Sequence, residues 1–230
     1  MRFAKLSFPT VLLALYAATA WGSPFTITSE LTGDPRIANP DNLVVDVTIV
    51  GDTTSSTVIW TVDINSPLHP NVKLDEFYFN MFGLSSNYSF SDFTPLNWAI
   101  ATPASTAGGG NIAFLFEALD PPGPPNAADV TNAQNLAFTM TKGSGNFVIT
   151  DFLSAPATCS NDVALGCGQL GAHLQSLVAG SGQSDSGFAL GEYGTDSRVI
   201  PSDIPVPEPA TLALLALGLV GLGFSRRKLN

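Results

Sequence analysis

The chain has 230 residues, enough for one domain with a substantial hydrophobic core. Charged residues make up only 12% of it, a composition that favours short strands and turns over long helices. Without residues 1–20 and 207–230, four basic residues remain against 18 acidic residues, a net charge near −14. Because so acidic a body repels phosphate backbones, we expect no nucleic-acid partner.

The N-terminal segment has the three parts of a secretory signal peptide. Arg2 and Lys5 precede an apolar stretch, which ends in the small residues Ala18-Thr19-Ala20. We therefore predict a signal peptide over residues 1–20, with the Sec translocon and signal peptidase as partners and a mature protein beginning at Trp21. A buried N-terminal helix is the alternative interpretation.

Residues 21–204, the predicted body, show apolar and polar residues in alternation, with no sustained helical periodicity. We expect four segments to place their alternating apolar residues on one face: Leu43, Val45, Val47 and Ile49; Val58, Trp60, Val62 and Ile64; Ile112, Phe114, Phe116 and Ala118; Leu136, Phe138 and Met140. The first two segments, joined through Gly51-Asp52-Thr53-Thr54, predict a β-hairpin.

The segment VKLDEFYFNMF predicts a strand that is covered on both faces. Two sets of apolar residues are expected on its opposite sides: Phe77, Phe79 and Met81 on one, and Leu74, Tyr78 and Phe82 on the other. Glycine- and proline-rich loops separate eight or nine such short strands. This pattern predicts an all-β fold, an antiparallel β-sandwich of jelly-roll type.

The two cysteines lie close together in the segment CSNDVALGC. In an exported chain, Cys159 and Cys167 are expected to form one disulfide that closes a small surface loop. A metal or redox site is the alternative, but it needs more ligands than two thiols provide.

Few other residues have the spacing that catalysis or metal binding requires. His69, expected in a loop, and His173, expected as a packed or edge residue of a strand, are too few for a zinc site or a catalytic triad. Asp185-Ser186-Gly187 matches an aspartic-protease tripeptide, but it has no second copy and is predicted to be a turn. We therefore predict no catalytic residue, no metal site and no cofactor.

Two binding hypotheses remain open at this point. Four acidic residues near one edge are either calcium ligands or a solvated acidic face: Asp34, Asp41, Asp46 and Asp52. Four aromatic residues are the candidates for a carbohydrate site if they are exposed: Trp60, Trp98, Tyr88 and Tyr193. With few basic partners in the body, we expect little perturbed titration, and a cluster of close carboxylates would favour a metal.

The C-terminal segment has the parts of a membrane span with a cytoplasmic stop. Ala210–Phe224 is an uncharged run of 15 residues, about 22 Å as a helix against a hydrocarbon core of about 30 Å. Arg226, Arg227 and Lys228 follow it as a basic stop. The sequence predicts a single transmembrane helix here, and a core helix is the alternative.

Pro207-Glu208-Pro209, the leucine-rich run and the basic end together resemble the PEP-CTERM sorting signal of Gram-negative bacteria, over residues 205–230. The resemblance implies that exosortase, a membrane cysteine transpeptidase, recognises Pro207, Glu208 and Pro209. It implies an inner-membrane-tethered precursor that later reaches the cell surface or medium, often beside exopolysaccharide. A plain membrane anchor is the alternative for the tail.

The expected function is accordingly that of an exported cell-envelope or extracellular-matrix protein without catalysis. A secreted carbohydrate-binding β-sandwich is the second hypothesis, and a hydrolase the third. Two carboxylates about 5–10 Å apart in a cleft would favour the hydrolase.

Overall fold

The computed structural model describes residues 22–33, 43–104, 106–107, 112–121, 129–159, 166–178 and 184–194. The chain divides into two units, Met1–Ser197 and Arg198–Asn230, and every described residue belongs to the first. The predicted signal peptide and the predicted sorting segment lie outside the described residues. Within the described ranges, no helix is long and apolar enough to cross a membrane.

The described residues form 15 strands, several of them very short, with one helical turn and one 3-10 helix. The strands are β1 Pro24–Gly33, β2 Leu43–Asp52, β3 Thr57–Ile64, β4 Lys73–Phe79, β5 Tyr88–Thr94, β6 Ala99–Ala101, β7 Thr106–Ala107, β8 Ile112–Ala113, β9 Phe116–Leu119, β10 Val130–Thr131, β11 Leu136–Lys142, β12 Thr158–Cys159, β13 Cys167–Gly168, β14 Leu170–Val178 and β15 Ser184–Gly191. The helical turn α1 is Thr150–Leu153, and the 3-10 helix is Ser85–Asn87.

Eleven strands form one antiparallel sheet in the order β5-β11-β3-β2-β1-β15-β14-β4-β9-β6, with β10 paired to β4. The strands at the two ends of this order, β5 and β6, contact each other, so the sheet nearly closes on itself. The predicted antiparallel β class is confirmed. The two separate sheets expected of a sandwich are instead joined into one hydrogen-bonded sheet.

The alternation predicted for three strands is confirmed. Each apolar residue named for β2, β3 and β11 is at most 1% exposed. Strands β2 and β3 form the predicted hairpin, in which Val47 pairs with Val62 and Gly51 with Val58. At the turn of this hairpin, the Asp52 carboxylate accepts hydrogen bonds from the backbone N–H and the hydroxyl of Thr54. These bonds lower the pKa of Asp52. The hairpin therefore has a polar turn and a fully apolar inner face.

An aromatic cluster fills the interior where distant parts of the sheet face each other. Trp60 of β3 lies 4.7 Å from Phe79 of β4 and 5.5 Å from Phe138 of β11, measured between ring centroids. Phe79 also stacks on Phe116 of β9 at 4.9 Å. Since β3 and β4 are far apart in the strand order, these contacts hold the curved sheet closed around its core.

The predicted alternation fails between residues 112 and 118. Phe116 and Ala118 belong to the main core, whereas Ile112 and Phe114 pack in a second cluster with Tyr78 and two residues of β15, Phe188 and Leu190. The break between β8 and β9 separates the two pairs, so one continuous strand with a single inner face was the wrong prediction.

Strand β4 is covered on both faces, as predicted, but Leu74 and Phe82 do not lie where we expected them. Phe77 and Met81 lie in the main core and Tyr78 in the second cluster. Leu74, expected on the side of Tyr78, lies instead in the main core, and Phe82 is 59% exposed. A bulge in β4 accounts for the position of Leu74.

The tripeptide Asp185-Ser186-Gly187 lies in β15 and not in the turn that we predicted. Leu174 pairs with Gly187 and Leu177 pairs with Asp185, so β14 has an extra residue at this point. The polar residues of the tripeptide thus belong to a bulged strand pair, a context that their composition alone did not indicate.

The inner face of β2 should contribute far more to stability than the outer face of β3. Ile49 is fully buried and Ile59 is 56% exposed, so the two give a matched pair. Ile49→Ala should lower the free energy of unfolding by about 2–5 kcal/mol, because it leaves a cavity. Ile59→Ala should change it by less than about 1 kcal/mol. Denaturant titration of both variants measures the difference, and equal losses would contradict the assigned faces.

Candidate functional site

Strand β4 contains a β-bulge at Asp75. On the neighbouring strand β14, His173 pairs with Glu76 and Leu174 pairs with Leu74, so no residue lies opposite Asp75. Consecutive side chains of a regular strand point to opposite faces, and a bulge interrupts that alternation. Asp75 and Glu76 therefore both reach the same histidine.

The imidazole of His173 lies between these two carboxylates. Its Nδ1 atom is 3.0 Å from Asp75 Oδ2 and 3.2 Å from Glu76 Oε2. The three donor atoms lie within 4.8 Å of one another, and all three side chains are half-buried. We call Asp75, Glu76 and His173 the bulge cluster. His173 lies in a strand as predicted, but its two carboxylate neighbours were not foreseen.

Two aromatic side chains support the bulge cluster. The Tyr78 hydroxyl donates a hydrogen bond to Glu76 Oε2 at 2.5 Å, which fixes the orientation of that carboxylate. The Phe188 ring lies 6.5 Å from the imidazole, inclined by 31°. Both rings belong to the second hydrophobic cluster, so the bulge cluster lies at the rim of a packed apolar surface.

Asp120, at the end of β9, has the most perturbed carboxyl group near this site. Its backbone N–H donates to the Asp75 carbonyl at 3.1 Å, and its Oδ1 atom is buried without a hydrogen-bond partner among the described residues. Burial, together with the negative charges of Asp129 and Asp75, raises the pKa of Asp120 to about 6, against the opposing effect of Lys73. The expectation of little perturbed titration is therefore wrong here.

His69 lies in a loop, as predicted, and its ring has a structural contact. The side chain is 4% exposed, and its Nδ1 atom accepts a hydrogen bond from the Val178 backbone N–H at 3.0 Å. The His69 carbonyl accepts a hydrogen bond from the Asn132 amide at 3.1 Å. His69 thus ties its loop to β14 and lies outside the bulge cluster.

The acidic residues considered for calcium are not brought together where they are described. Asp34 and Asp41 lie outside the described residues. Asp46 pairs across the hairpin with Asp63, and burial and the Asp46 charge raise the pKa of Asp63. Asp52 lies at the far end of the same strand, roughly 20 Å from Asp46 at 3.3 Å per residue.

The four aromatic residues considered for a carbohydrate site are all buried. Trp60 is 0%, Trp98 3%, Tyr193 5% and Tyr88 9% exposed. Burial raises the pKa of Tyr88 to about 12 and that of Tyr193 well above its ordinary value. Because all four rings are buried, none of them can stack on a sugar ring, and the carbohydrate hypothesis loses its candidate residues.

Cys159 and Cys167 form the predicted disulfide, and they are directly paired residues of the β12–β13 hairpin. A buried polar network holds this hairpin against the body. The Asn80 amide donates to the Thr158 hydroxyl and to the Pro156 carbonyl, both at 2.8 Å, while its oxygen accepts from the Leu115 N–H at 2.8 Å. The Tyr193 hydroxyl donates to the Asn80 carbonyl at 2.8 Å.

A family model described as the PEP-CTERM protein-sorting motif matches residues 205–228. The chain carries a PEP-CTERM sorting motif. This motif indicates an exported protein that is sorted to the cell envelope, and it implies exosortase as the processing partner. Comparisons with curated proteins and with solved structures gave no match.

The PEP-CTERM motif includes Pro207, Glu208 and Pro209 and the basic residues Arg226, Arg227 and Lys228. These residues lie outside the described part of the structure, so their individual roles stay predictions.

The bulge cluster was missed for a different reason. Its one visible signal is the acidic pair inside the apolar segment VKLDEFYF, where alternation also breaks.

Removal of the disulfide should destabilise the body of the protein. The two cysteines are separated by 8 positions, and closing so short a loop contributes about 2–3 kcal/mol in the chain-entropy model. A Cys159→Ser, Cys167→Ser double variant should lose that amount of unfolding free energy, measured by denaturant titration. Adding a reductant should lower wild-type stability equally and leave the double variant unchanged; an effect of reductant on the double variant would contradict this assignment.

Asp120 should make the protein less stable as the pH rises. Because its pKa is raised in the folded state, from 3.8 to about 6, its stabilising contribution is present below about pH 4 and is lost by about pH 6. Asp120→Asn should therefore match wild type near pH 4 and exceed it by roughly 1 kcal/mol at pH 8, after allowance for solvent screening. Unfolding curves across this range test it, with Asp92→Asn as a control for removal of an exposed carboxylate.

Proposed function

We propose that this protein is a non-enzymatic component of the cell envelope or extracellular matrix, exported as a tethered precursor and processed by exosortase. The PEP-CTERM match at residues 205–228 is the observation that carries the proposal. In it, the β body is the part delivered, and the C-terminal segment directs its delivery.

The tail suits temporary retention in a membrane. An uncharged run of 15 residues is shorter than an ordinary span, and the basic stop at its end holds the segment in one orientation. Pro205, Pro207 and Pro209 disfavour helix before the span, so we expect the recognition peptide to be extended and accessible to the enzyme. Cleavage there would separate the body from the anchor.

Three features of the body support a structural role without catalysis. Both cysteines of the chain are in the disulfide, so no thiol is available as a nucleophile. The aromatic residues that could have formed a sugar platform lie in the core. A disulfide and a nearly closed sheet also suit a small protein that must persist outside the cell.

The proposal is tested by replacing Pro207, Glu208 and Pro209 together with alanine in a host that has exosortase. Wild-type protein should be found at the surface or in the medium, at a mass lower than that of the precursor. The triple variant should stay in the membrane fraction at precursor mass, as should wild type in an exosortase-deficient host. Fractionation followed by mass spectrometry of the intact chain measures both properties.

A matched control replaces Pro201, Ser202 and Asp203 with alanine, since this triplet also holds a proline and an acid but lies outside the matched residues. It should be processed like wild type. Unchanged location and mass in the Pro207-Glu208-Pro209 variant would overturn the sorting role of those residues.

A further inference from the structure

We propose that the bulge cluster, Asp75, Glu76 and His173, binds one divalent transition-metal ion of the zinc class. The site lies on the β body, and the inference does not rest on the proposed sorting function. Its grounds are the donor types, their separations and the local backbone.

The separations between the donor atoms suit a zinc ion. Zinc takes nitrogen and oxygen ligands at about 2.0–2.2 Å in tetrahedral geometry, so adjacent ligand atoms lie roughly 3.3 Å apart. The Nδ1 atom of His173 is 3.0 Å from Asp75 Oδ2 and 3.2 Å from Glu76 Oε2. Small side-chain adjustments would bring all three donors onto one ion, with water in the fourth position.

Hydrogen bonding alone satisfies this arrangement poorly. Nδ1 carries at most one proton, which the two carboxylate oxygens can only share as a weaker bifurcated hydrogen bond, and the imidazolium charge balances only one of the two carboxylates. A divalent ion would neutralise both carboxylates while accepting the nitrogen lone pair of a neutral imidazole. The nitrogen also favours zinc over calcium, which takes oxygen ligands.

The surroundings of the bulge cluster resemble the supporting shell of a metal site. A ligand carboxylate is usually held by a further hydrogen bond, and here the Tyr78 hydroxyl donates to Glu76 Oε2. The bulge brings two consecutive residues to one histidine, which a regular strand cannot do. Asp120 adds negative charge next to Asp75. Lys73, which lies on β4 with Asp75, is the basic residue that partly balances this charge.

The experiment uses the full-length chain in mild detergent, without a histidine tag, after treatment with a chelator. Equilibrium dialysis against zinc chloride followed by elemental analysis should give one zinc per chain. His173→Gln and Glu76→Gln should each bind at least about tenfold more weakly, since even loss of a supporting contact typically weakens metal binding about 10–100-fold. Asp92→Asn, which removes an exposed carboxylate elsewhere, should bind like wild type.

A second measurement needs no variant and so does not depend on whether a variant folds. The chain has two histidines, so the nitrogen NMR spectrum of its imidazoles contains two rings. Zinc should shift the Nδ1 signal of His173 and leave that of His69 unchanged, because His69 Nδ1 already accepts the Val178 N–H.

Three outcomes would overturn the proposal. They are zinc retention no greater in wild type than in His173→Gln, zinc binding that leaves the His173 nitrogen signals unmoved, and displacement of zinc by an equal concentration of calcium. The first two would assign the cluster to a structural ion pair, and the third to an oxygen-selective site.

Discussion

Trp60 and Phe79 come from strands that lie far apart in the order of the sheet, and their rings meet at 4.7 Å in the interior. The buried Nε1 atom of Trp60 has no hydrogen-bond partner among the described residues, so in this position it loses the hydrogen bond that it would make to water. Such a loss costs about 1–3 kcal/mol, and each aromatic pair contributes about 0.5–1.5 kcal/mol beyond the area it buries. Trp60 makes five such ring contacts, which offset the loss and keep the sheet curved around its core.

Scarcity of positive charge shapes the polar part of the molecule. The described residues include two basic side chains besides histidine, Lys73 and Lys142. The Lys142 ammonium contacts both carboxylate oxygens of Asp151, at 2.9 and 2.8 Å, and thereby anchors α1 to β11. The carboxylates around β4 have Lys73 and the imidazole of His173 to balance them. Burial is the main reason for the raised pKa of Asp120, and the neighbouring Asp129 and Asp75 add to it because Lys73 opposes them only in part.

The parts of the fold that could be predicted from sequence are those where backbone geometry is regular. In β2, β3 and β11 the side chains alternate without interruption, so an inner face could be named residue by residue and was found there. Where the chain breaks that regularity, at Asp75 and between Phe114 and Phe116, the face of each residue depends on a partner strand that is remote in sequence. Local composition contains no record of that partner.

The sorting motif and the bulge cluster differ in the same way. A sorting motif is contiguous, and its prolines, apolar run and basic end can be recognised without knowledge of the fold. The bulge cluster joins residues 75 and 76 to residue 173, and no spacing rule connects them. The disulfide lies between these cases, since its two cysteines are near neighbours in the sequence and had no other cysteine with which to pair.

The near closure of the sheet bears on how such a protein behaves once crowded on a surface. An open sheet presents rows of unpaired backbone amides and carbonyls at both margins, onto which a strand of another molecule can add. Here β5 and β6 occupy those margins, and each lies against the other. Each margin is therefore partly covered by the other, which leaves less exposed main chain for a second copy than an open sheet would. Contacts between copies at high concentration would then involve side chains and loops more than strand pairing, and sequence change can alter those without disturbing the folded core.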